Sequence, residues 1–429
     1  MPAKIQSVRG MHDILPTAAH CWRQIENTII RVINSYGYEE IRLPVVEKTD
    51  LFARSIGAYT DIVTKEMYTF TDRNNDSLTL RPEGTAGCAR AGMEHGLFHN
   101  QARKLWYMGP MFRHERPQKG RQRQFHQIGI EAFGLVGPDI DAEMILLCAR
   151  IWRSLNLQDI HLELNTLGTA QSRRQYRELL IEYFSAHQDE LDEDSRKRLQ
   201  HNPLRILDSK NPDMQALISA APDMHEILDA ESAEHFSGLK AILDAANIGY
   251  TVNTRLVRGL DYYDKTVFEW TTTLLGAQGT ICAGGRFDGL IEQFGGKPTP
   301  AIGCALGLER LMELAGTSAG PITGQHPHIY LVVSDDIDIK HGLNLAESMH
   351  EQLPALRVQI NYGGGSFKSQ FRRADNSGAM VAVVIGTEEL ASGTVGVKGL
   401  REGKVQETVA LSDLAACLRR WLAPDLNLA

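Results

Sequence analysis

The stretch LWYMGPMFRHERPQKGRQRQFHQIGIEAF, residues 105–133, is the most informative part of this chain. Residues 105–113 and 124–133 are rich in aromatic and apolar side chains and flank a polar loop, a pattern that predicts a β-hairpin. Hairpin loops usually contain about two to five residues, whereas this one is longer and carries Arg116, Lys119, Arg121 and Arg123. Because a long basic loop is more often functional than a plain connector, we expect the hairpin to belong to a binding or catalytic site.

The side chains of the hairpin support that expectation. Alternate residues of a strand share one face, which groups two sets of residues: Tyr107, Gly109, Met111 and Arg113 on one strand, and Gln127, Gly129, Glu131 and Phe133 on the other. Buried Arg, Gln and Glu side chains cost free energy without partners. Gly109 and Gly129 between them are expected to leave room for a ligand. The alternative is the solvated side of an antiparallel sheet.

Composition describes a globular protein of two or three domains, with 429 residues, 43% of them hydrophobic. No run approaches the roughly 18 apolar residues of a membrane helix, so we expect a cytoplasmic chain without membrane contact. The six cysteines have no paired spacing, which predicts reduced thiols and no metal site. A net charge of −8 neither indicates nor excludes a nucleic-acid partner, because binding depends on local patches.

Upstream of the hairpin, residues 7–16 are predicted to be extended and to lead into an amphipathic helix. Its apolar residues recur at three- and four-residue spacing, and Gly37 is placed as its C-terminal cap. Residues 41–46 are predicted as a strand, with Pro44 at an edge, a bulge or a subunit interface. Residues 78–87 predict a short strand that ends in a Pro-Glu-Gly turn before a helix. Glu83 at that turn is interpreted either as a cap of the helix or as a carboxylate that binds a substrate ammonium group.

Downstream of the hairpin, residues 139–155 are predicted as a helix and residues 160–164 as a strand. Charged, Leu-spaced sequence from about residue 169 to residue 236 predicts a helical insertion in a sheet domain. Sheet pattern resumes at Tyr250, with a strand expected to end near Arg258 and a return strand at residues 266–272. Residues 301–311 are predicted to run from a strand into a helix that carries Arg310.

Arg113, Arg258 and Arg310 each lie beside glycine-rich backbone and next to sheet pattern. The guanidinium fork is permanently charged and matches the geometry of phosphate oxygens. Preorganised cations of this kind could stabilise charge that develops on a phosphoryl centre and so support adenylyl transfer. The chain contains no Gly-x-x-x-x-Gly-Lys-Ser/Thr sequence, so a nucleotide is not expected to be held by a P-loop.

Over essentially its full length the chain resembles a bacterial-type histidyl-tRNA synthetase, a family of class II aminoacyl-tRNA synthetases. The sequence around Pro44 resembles class II motif 1, FRHE at residues 112–115 resembles motif 2, and GLER at 307–310 resembles motif 3. LVRGLDYY at 256–263 and AGGRFD at 283–288 resemble the two signatures peculiar to the histidine enzymes. The resemblance implies an α+β catalytic domain built on an antiparallel sheet at residues 1–320 and a C-terminal α/β domain at 328–429. It also implies a homodimer formed through motif 1.

The resemblance also implies a role for each site residue. Arg113 would bind the ATP α-phosphate and Arg258 would be the catalytic cation there, while the rest of ATP would contact Glu115, Arg121 and Arg310. Histidine would contact Glu83, Thr85, Gln127, Glu131, Tyr262 and Tyr263. The tRNA would contact Gln118, Lys368 and Arg372. ATP and histidine would be substrates together with tRNA(His), with Mg²⁺ accompanying ATP and no metal held by the protein itself. A carboxylate opposite a tyrosine hydroxyl suits an imidazole, because it can select one tautomer and reject isosteres.

After a linker at residues 316–327, alternating strand and helix patterns predict the second domain, which in the family binds the anticodon. Its Lys368, Arg372 and Arg373 form a basic helix face beside Gly363–Gly365 that could contact RNA phosphates, although a solvated helix face is the plain alternative. Two other functions remain open at this point. One is a non-catalytic regulatory paralogue that binds histidine or tRNA, and the other is a different ligase that forms an acyl-adenylate. The regulatory relatives tend to lose the histidine-specific arginine or the C-terminal domain, and both are present here.

Overall fold

The computed structural model describes residues 4–57, 60–118, 120–209, 211–276, 279–318, 326–401 and 406–422. The chain forms two compact units, Met1–Gly320 and Pro321–Ala429. Most of the predicted linker, residues 319–325, lies outside the described residues. None of the described helices has the length and apolar content that a membrane span requires.

The first unit is built from ten helices and eleven strands in its described part. The helices are α1 (Pro16–Ser35), α2 (Thr49–Ile56), α3 (Thr85–Glu94), α4 (Pro138–Ser154), α5 (Ala170–Ala186), α6 (Glu193–Leu199), α7 (Gln215–Ser219), α8 (Ala230–Ala245), α9 (Leu290–Gln293) and α10 (Leu308–Ser318). The strands are β1 (Glu39–Glu40), β2 (Val46–Lys48), β3 (Tyr68–Thr71), β4 (Ser77–Leu80), β5 (Arg103–Phe112), β6 (Gln124–Phe133), β7 (Ile160–Thr166), β8 (Thr251–Val252), β9 (Asp264–Thr272), β10 (Thr280–Arg286) and β11 (Ala301–Gly307).

Eight of these strands form one sheet in the order β1-β5-β6-β11-β10-β9-β7-β8. The six central strands pair antiparallel, and the two-residue strands β1 and β8 pair parallel at the two edges. The predicted hairpin is β5 and β6, with Tyr107 opposite Gly129 and Gly109 opposite Gln127. The predicted fold, a catalytic domain built on an antiparallel sheet with an α/β domain after it, is confirmed.

The two faces of this sheet are packed differently. On one face, Ile128 and Ile130 of β6 join a core with α1, α4, α8 and α10. On the other face, Tyr107, Met111 and Phe133 pack in a second core with the helical segment that follows β7. Alternation along β6 therefore buries its odd and even residues on opposite sides. Other residues on the second face lie outside this core, and they contribute to the wall of the candidate site.

The prediction of a strand at residues 41–46 is wrong. Only Glu39 and Glu40 pair with β5, and the next strand begins at Val46 in a separate three-stranded sheet, β2-β4-β3. Between them Pro44 has no N–H to donate to a ladder. The guanidinium of Arg81 instead holds this crossing, because its Nη1 donates to the carbonyls of Leu43 and Pro44 at 3.1 and 3.4 Å.

The strand expected to end near Arg258 is also absent. β8 contains only Thr251 and Val252, and residues 253–263 form a loop. Leu256 and Val257 are both buried although they are adjacent, a pattern that a strand with one solvated face does not show. Arg255 fastens the loop to the insertion, because its guanidinium donates to three carbonyls around residues 219–222.

The sequence from residue 169 onward is helical, as α5 to α8 with short 3₁₀ turns between them. The boundary placed at residue 236 falls inside α8. Phe236, Leu239 and Leu243 of α8 pack in the core under the main sheet, so this helix belongs to the sheet domain rather than to an appendage.

The second unit is a mixed five-stranded sheet in the order β13-β12-β14-β15-β16, where β12, β13 and β14 are parallel and β15 and β16 antiparallel. Its elements are β12 (Ile329–Val333), α11 (Ile339–Gln352), β13 (Val358–Ile360), α12 (Phe367–Asn376), β14 (Val381–Ile385), α13 (Thr387–Ser392), β15 (Thr394–Gly399), β16 (Glu407–Ala410) and α14 (Leu414–Leu422). The sequence interpretation missed α13 and β16, which are short and polar.

Candidate active site

A cavity of about 500 Å³ opens on the second face of the main sheet. Its walls come from the start of α3, the β5–β6 hairpin, the loop at 253–263, the central strands and the start of α10. Most of the predicted site residues line it: Glu83, Thr85, Arg113, Glu115, Arg121, Gln127, Arg258, Tyr262, Tyr263 and Arg310. Residues separated by more than 200 positions in the sequence therefore meet in one cavity.

Two predicted site residues of the first unit do not line this cavity. Gln118 is exposed in the hairpin loop, where its backbone pairs with that of Arg121 in a tight turn. Glu131 is fully buried behind the wall, where its Oε1 accepts hydrogen bonds from the hydroxyls of Thr85 at 2.7 Å and Tyr107 at 3.0 Å. Thr85 and Tyr107 both line the cavity, so Glu131 is one hydrogen bond away from it.

Glycines shape the space around Glu131, but not as expected. The room beside Gly129 is filled by the ring of Tyr107, and the room beside Gly109 by the guanidinium of Arg81. The prediction that these two glycines leave room for a ligand is therefore wrong. A Cβ on Gly303 of β11 would lie 1.6 Å from Oε2 of Glu131, so only glycine fits opposite this carboxylate.

Burial sets the electrostatics of the two site carboxylates. Removal from water raises the pKa of Glu131 well above its usual range, and nearby Glu83 raises it further, against hydrogen bonds from Thr85 and Tyr107. Oε2 of Glu131 is buried without a hydrogen-bond partner. A positive or hydrogen-bond-donating ligand close to these carboxylates would offset the cost of burying them.

Glu83 is a cap of the helix and also lies in the wall of the cavity. Its carboxylate accepts hydrogen bonds from the backbone N–H groups of Thr85 at 2.6 Å and Ala86 at 3.0 Å, so it caps the start of α3. It also lines the cavity, and burial raises its pKa. A helix cap and a cavity carboxylate are thus the same group.

The arginines of the cavity are each held by a specific contact. Nε of Arg113 donates to the carbonyl of Pro82 at 2.9 Å, and its guanidinium lies 5.3 Å from the centre of the Phe125 ring. Nη1 of Arg121 lies 3.1 Å from Oε2 of Glu115 as an ion pair. Burial, together with the charge of Arg121, lowers the pKa of Arg310. This part of the cavity therefore favours an anion.

Two tyrosines and one amide complete the wall. The rings of Tyr262 and Tyr263 lie 4.6 Å apart, and both side chains are buried. Gln127 has a buried Oε1 without a hydrogen-bond partner. Buried polar atoms are normally paired, so a polar atom left unpaired beside a cavity indicates a place where a ligand binds.

The sequence interpretation missed further residues of this region. Glu269 and Thr280 line the cavity from β9 and β10, and only their position on the sheet reveals them. A second cavity of about 280 Å³ shares Arg258 and Tyr263 with the first and is lined by three arginines of α5: Arg173, Arg174 and Arg177. In the sequence these arginines have the pattern of a solvated helix face.

Three cysteines also meet, although the sequence scatters them. Sγ of Cys148 lies 3.8 Å from that of Cys282 and 3.7 Å from that of Cys304, on the packed side of the sheet. All six cysteines of the chain are free and buried. Three ligands are one fewer than a structural zinc site uses, and the other described His, Cys, Asp and Glu residues form no such group. Packing of buried thiols explains the cluster.

In the second unit, Lys368 and Arg372 are both exposed on α12. Neighbouring Arg373 is held by Oδ1 of Asn361 at 2.9 Å, and the preceding glycines 363 to 365 all adopt positive φ. The predicted basic face therefore exists beside a turn that only glycine adopts easily.

An antiparallel sheet with a cavity in which arginines from three separate motifs lie together with buried carboxylates and tyrosines agrees with the class II aminoacyl-tRNA synthetase domain that the resemblance implies. Comparison with known proteins gives the particular family. The family model "Histidyl-tRNA synthetase" matches residues 10–311, and the model "Anticodon binding domain" matches residues 331–421. The chain belongs to the histidyl-tRNA synthetase family.

Individual relatives agree. The histidine–tRNA ligase of Halorhodospira halophila is 58% identical over 97% of this chain and 98% of its own length. The apo crystal structure of Staphylococcus aureus histidyl-tRNA synthetase is 34% identical and superimposes with a TM-score of 0.81, over 97% of this chain and all of that one. The histidyl-tRNA synthetase structure from Nostoc sp. PCC 7120, at 22% identity, has a TM-score of 0.66 over 98% of this chain and all of its own, and shows the shared fold.

Proposed function

We propose that this protein activates histidine with ATP and transfers it to tRNA(His). The histidine carboxylate attacks the α-phosphate of ATP, which gives histidyl-adenylate and releases pyrophosphate. The histidyl group then passes to the 3′ end of the tRNA. The observation that carries this proposal is the single cavity that joins a group of arginines to buried carboxylates and tyrosines. The first group suits a polyphosphate and the second an imidazole with an ammonium group.

On the ATP side, we assign Arg113 and Arg258 to the α-phosphate. Arg310 and Arg121 are assigned to the outer phosphates and Glu115 to the adenine side. Arg121 and Glu115 form an ion pair with each other in this structure. Arrival of the phosphates gives Arg121 an alternative anionic partner and releases Glu115.

Mg²⁺ accompanies ATP in this proposal and is coordinated chiefly by phosphate oxygens. The arrangement of the cavity carboxylates supports this, because Glu115 is paired with Arg121 and Glu269 with Arg258. These two carboxylates therefore offer hard oxygen donors but already have a cationic partner. The ion would supply charge neutralisation at the phosphates.

On the histidine side, Glu83 and Thr85 are assigned to the amino group and Gln127 to the carboxylate. Tyr262, Tyr263 and Glu131 are assigned to the imidazole. Gln127 lines the cavity and can donate from its amide nitrogen to a carboxylate. Glu131 can act on the imidazole through Thr85 and Tyr107, which line the cavity and donate to its Oε1. Since Glu131 lies behind Thr85 and Tyr107, its charge also orients these two hydroxyls.

The test of the function is amino-acid-dependent exchange of pyrophosphate into ATP, measured without tRNA for all twenty amino acids. We expect exchange with histidine alone, because only an imidazole has two ring nitrogens to satisfy a carboxylate and a hydroxyl together. No exchange by folded protein would favour the regulatory paralogue that binds without catalysis. Exchange with a different amino acid would overturn the assignment of Glu131 and Tyr263.

The catalytic function is favoured over the regulatory one by two observations. The histidine signature containing Arg258 is intact and lines the cavity. The chain also matches a relative named as a ligase over 97% of its length, including the anticodon-binding domain.

For the tRNA, we assign Gln118 in the hairpin loop to the acceptor end and Lys368 with Arg372 to the anticodon side. The two basic residues are exposed, as phosphate contacts require. Changing both to Ala should raise the KM for tRNA and lower the steepness of its salt dependence by about one unit per residue, while pyrophosphate exchange is unchanged. Lys340→Ala, on α11 of the same unit, is the matched control. An equal rise in the KM for tRNA in the control variant would show that the effect comes from the overall charge of the unit and not from these two residues.

We further propose that the protein is a homodimer that acts in the cytoplasm, where tRNA is charged. The dimer rests on the sequence around Pro44, which resembles the motif that forms the subunit interface in this class. Val46 next to it is 38% exposed in the single chain, as a residue covered by a partner would be. Sedimentation of the full chain tests this, since a mass near 47.7 kDa would contradict a dimer.

A further inference from the structure

Glu269 is the residue against which Arg258 rests. It lies on β9 opposite Ala283 of β10, and its side chain points into the cavity. Nη1 of Arg258 forms an ion pair with Oε1 of Glu269, and both side chains are less than one-fifth exposed. Oε2 of Glu269 accepts a hydrogen bond from the hydroxyl of Thr280 at 3.1 Å. Both oxygens of the carboxylate are therefore engaged.

Arg258 depends on this contact for its position. It lies in the loop at 253–263, where no ladder of backbone hydrogen bonds fixes it. Its other side-chain contact is with the ring of Tyr263, whose centre lies 5.8 Å away, and its Nε is buried without a hydrogen-bond partner. Contact with a ring face is weakly directional compared with a charged hydrogen bond. The carboxylate of Glu269 therefore selects the rotamer of the guanidinium.

We propose that Glu269 is a positioning residue for adenylate formation, which acts through Arg258. A strand side chain braced by Thr280 holds the guanidinium of a loop residue inside the cavity before ATP arrives. The cation is then preorganised, so little reorganisation is needed when charge develops at the α-phosphate. This inference rests on the role proposed above for Arg258.

A different role for the same atoms can be separated by experiment. A carboxylate next to a threonine hydroxyl also offers two hard oxygen donors, as a Mg²⁺ ion requires. The ion pair with Arg258 favours the positioning role, because a cation already occupies the carboxylate. If Glu269 positions Arg258, the loss of rate on changing Glu269 should depend on the presence of Arg258. If Glu269 binds Mg²⁺, that loss should depend on the concentration of Mg²⁺.

The experiment measures histidine-dependent pyrophosphate exchange and single-turnover adenylate formation by Glu269→Gln. We expect kcat to fall about tenfold to a hundredfold, as for a misplaced catalytic group, with the KM for histidine within about twofold of the wild type. The Mg²⁺ concentration for half-maximal rate should not change. In the Arg258→Ala background, Glu269→Gln should cause almost no further loss, because the group it positions is gone.

Two other variants keep the result interpretable. Thr280→Val removes the brace but not the charge, so it should lower kcat in the same direction by a smaller factor. Glu163→Gln is the matched control, because Glu163 lies opposite Glu269 on β7 and contacts Asn253 rather than Arg258. It should leave kcat unchanged. Retained histidine affinity, measured by calorimetry, shows that a slow variant is folded.

Three results would overturn the inference. An unchanged kcat for Glu269→Gln in an active enzyme would show that Arg258 needs no brace. A raised Mg²⁺ requirement, with the full loss repeated in the Arg258→Ala background, would make Glu269 a metal ligand. An equally large loss of kcat in Glu163→Gln would show that the effect comes from removing any negative charge from this part of the sheet, and not from the contact with Arg258. Absence of histidine-dependent exchange by the wild type would instead refute the proposed function itself.

Discussion

Arg258→Ala should lower histidine-dependent pyrophosphate exchange by about a hundredfold or more, the usual cost of removing a preorganised group that stabilises transition-state charge. Histidine affinity should change little, because this cation acts mainly where negative charge develops on the α-phosphate. Its guanidinium lies inside the cavity, paired with Glu269, so the lost charge belongs to the site rather than to the surface. Single-turnover adenylate formation and calorimetric binding of histidine measure the two quantities separately.

Two comparison variants define this result. Arg258→Lys keeps the charge but loses the fork, so it should recover only part of the rate. Arg205→Ala removes a nearby cation that pairs with Asp208 at 3.1 Å and lines neither cavity, so it should behave as the wild type. A parallel loss of histidine affinity in Arg258→Ala would contradict the assignment to the α-phosphate.

Glu131→Gln should weaken selection of histidine by about tenfold to a hundredfold in kcat/KM, the range expected when a buried hydrogen bond to a charged group is lost. The carboxylate accepts hydrogen bonds from Thr85 and Tyr107 on one oxygen and has its other oxygen unpaired. An amide can donate as well as accept, so it no longer sets the direction of the hydrogen bonds around the imidazole. The readout is exchange as a function of histidine concentration.

The effect should lie in histidine recognition and not in ATP binding, so the KM for ATP should stay constant. Thr85→Val, which removes one donor to the same oxygen, should act in the same direction but more weakly. Glu143→Gln is the control, because Glu143 is a partly buried carboxylate of α4 that pairs with Lys104 at 2.7 Å, away from the cavity. An unchanged KM for histidine in Glu131→Gln would remove Glu131 from the recognition site.

Local pattern predicted much of the fold. The hairpin at residues 105–133 was evident because two runs of strand-forming residues flank a polar loop. The helix that ends before Gly37 was evident from its apolar spacing, and Gly37 does adopt a positive φ of 77°. The prediction failed at residues 41–46, where the chain passes from one sheet to another. The sequence pattern does not mark that transfer. A backbone carbonyl is the same group in every residue, so the pattern cannot show whether it accepts from Arg81 or from a neighbouring strand.

The residues of the candidate site divide in the same way. Motifs beside glycine identified Arg113, Arg258 and Arg310, and all three line the cavity. Glu269 could not be identified in this way, because it belongs to no motif beside glycine and is a single polar residue in a strand pattern. Its function as a partner of Arg258 follows from the antiparallel pairing of β9 with β10 and from the path of a loop before it.

The sequence by itself therefore determined most of the elements, their order and the chemical types of side chain available on each face, because propensity, alternation and turn chemistry act over a few residues. Only the tertiary structure decided which side chains fill the space around the cavity and under the sheet. Tyr107 occupies the room beside Gly129, Glu131 is enclosed behind it, and three separated cysteines meet under the sheet. The reason is that volume, desolvation and ion pairing depend on atoms brought together from distant parts of the chain, which no local window of sequence contains.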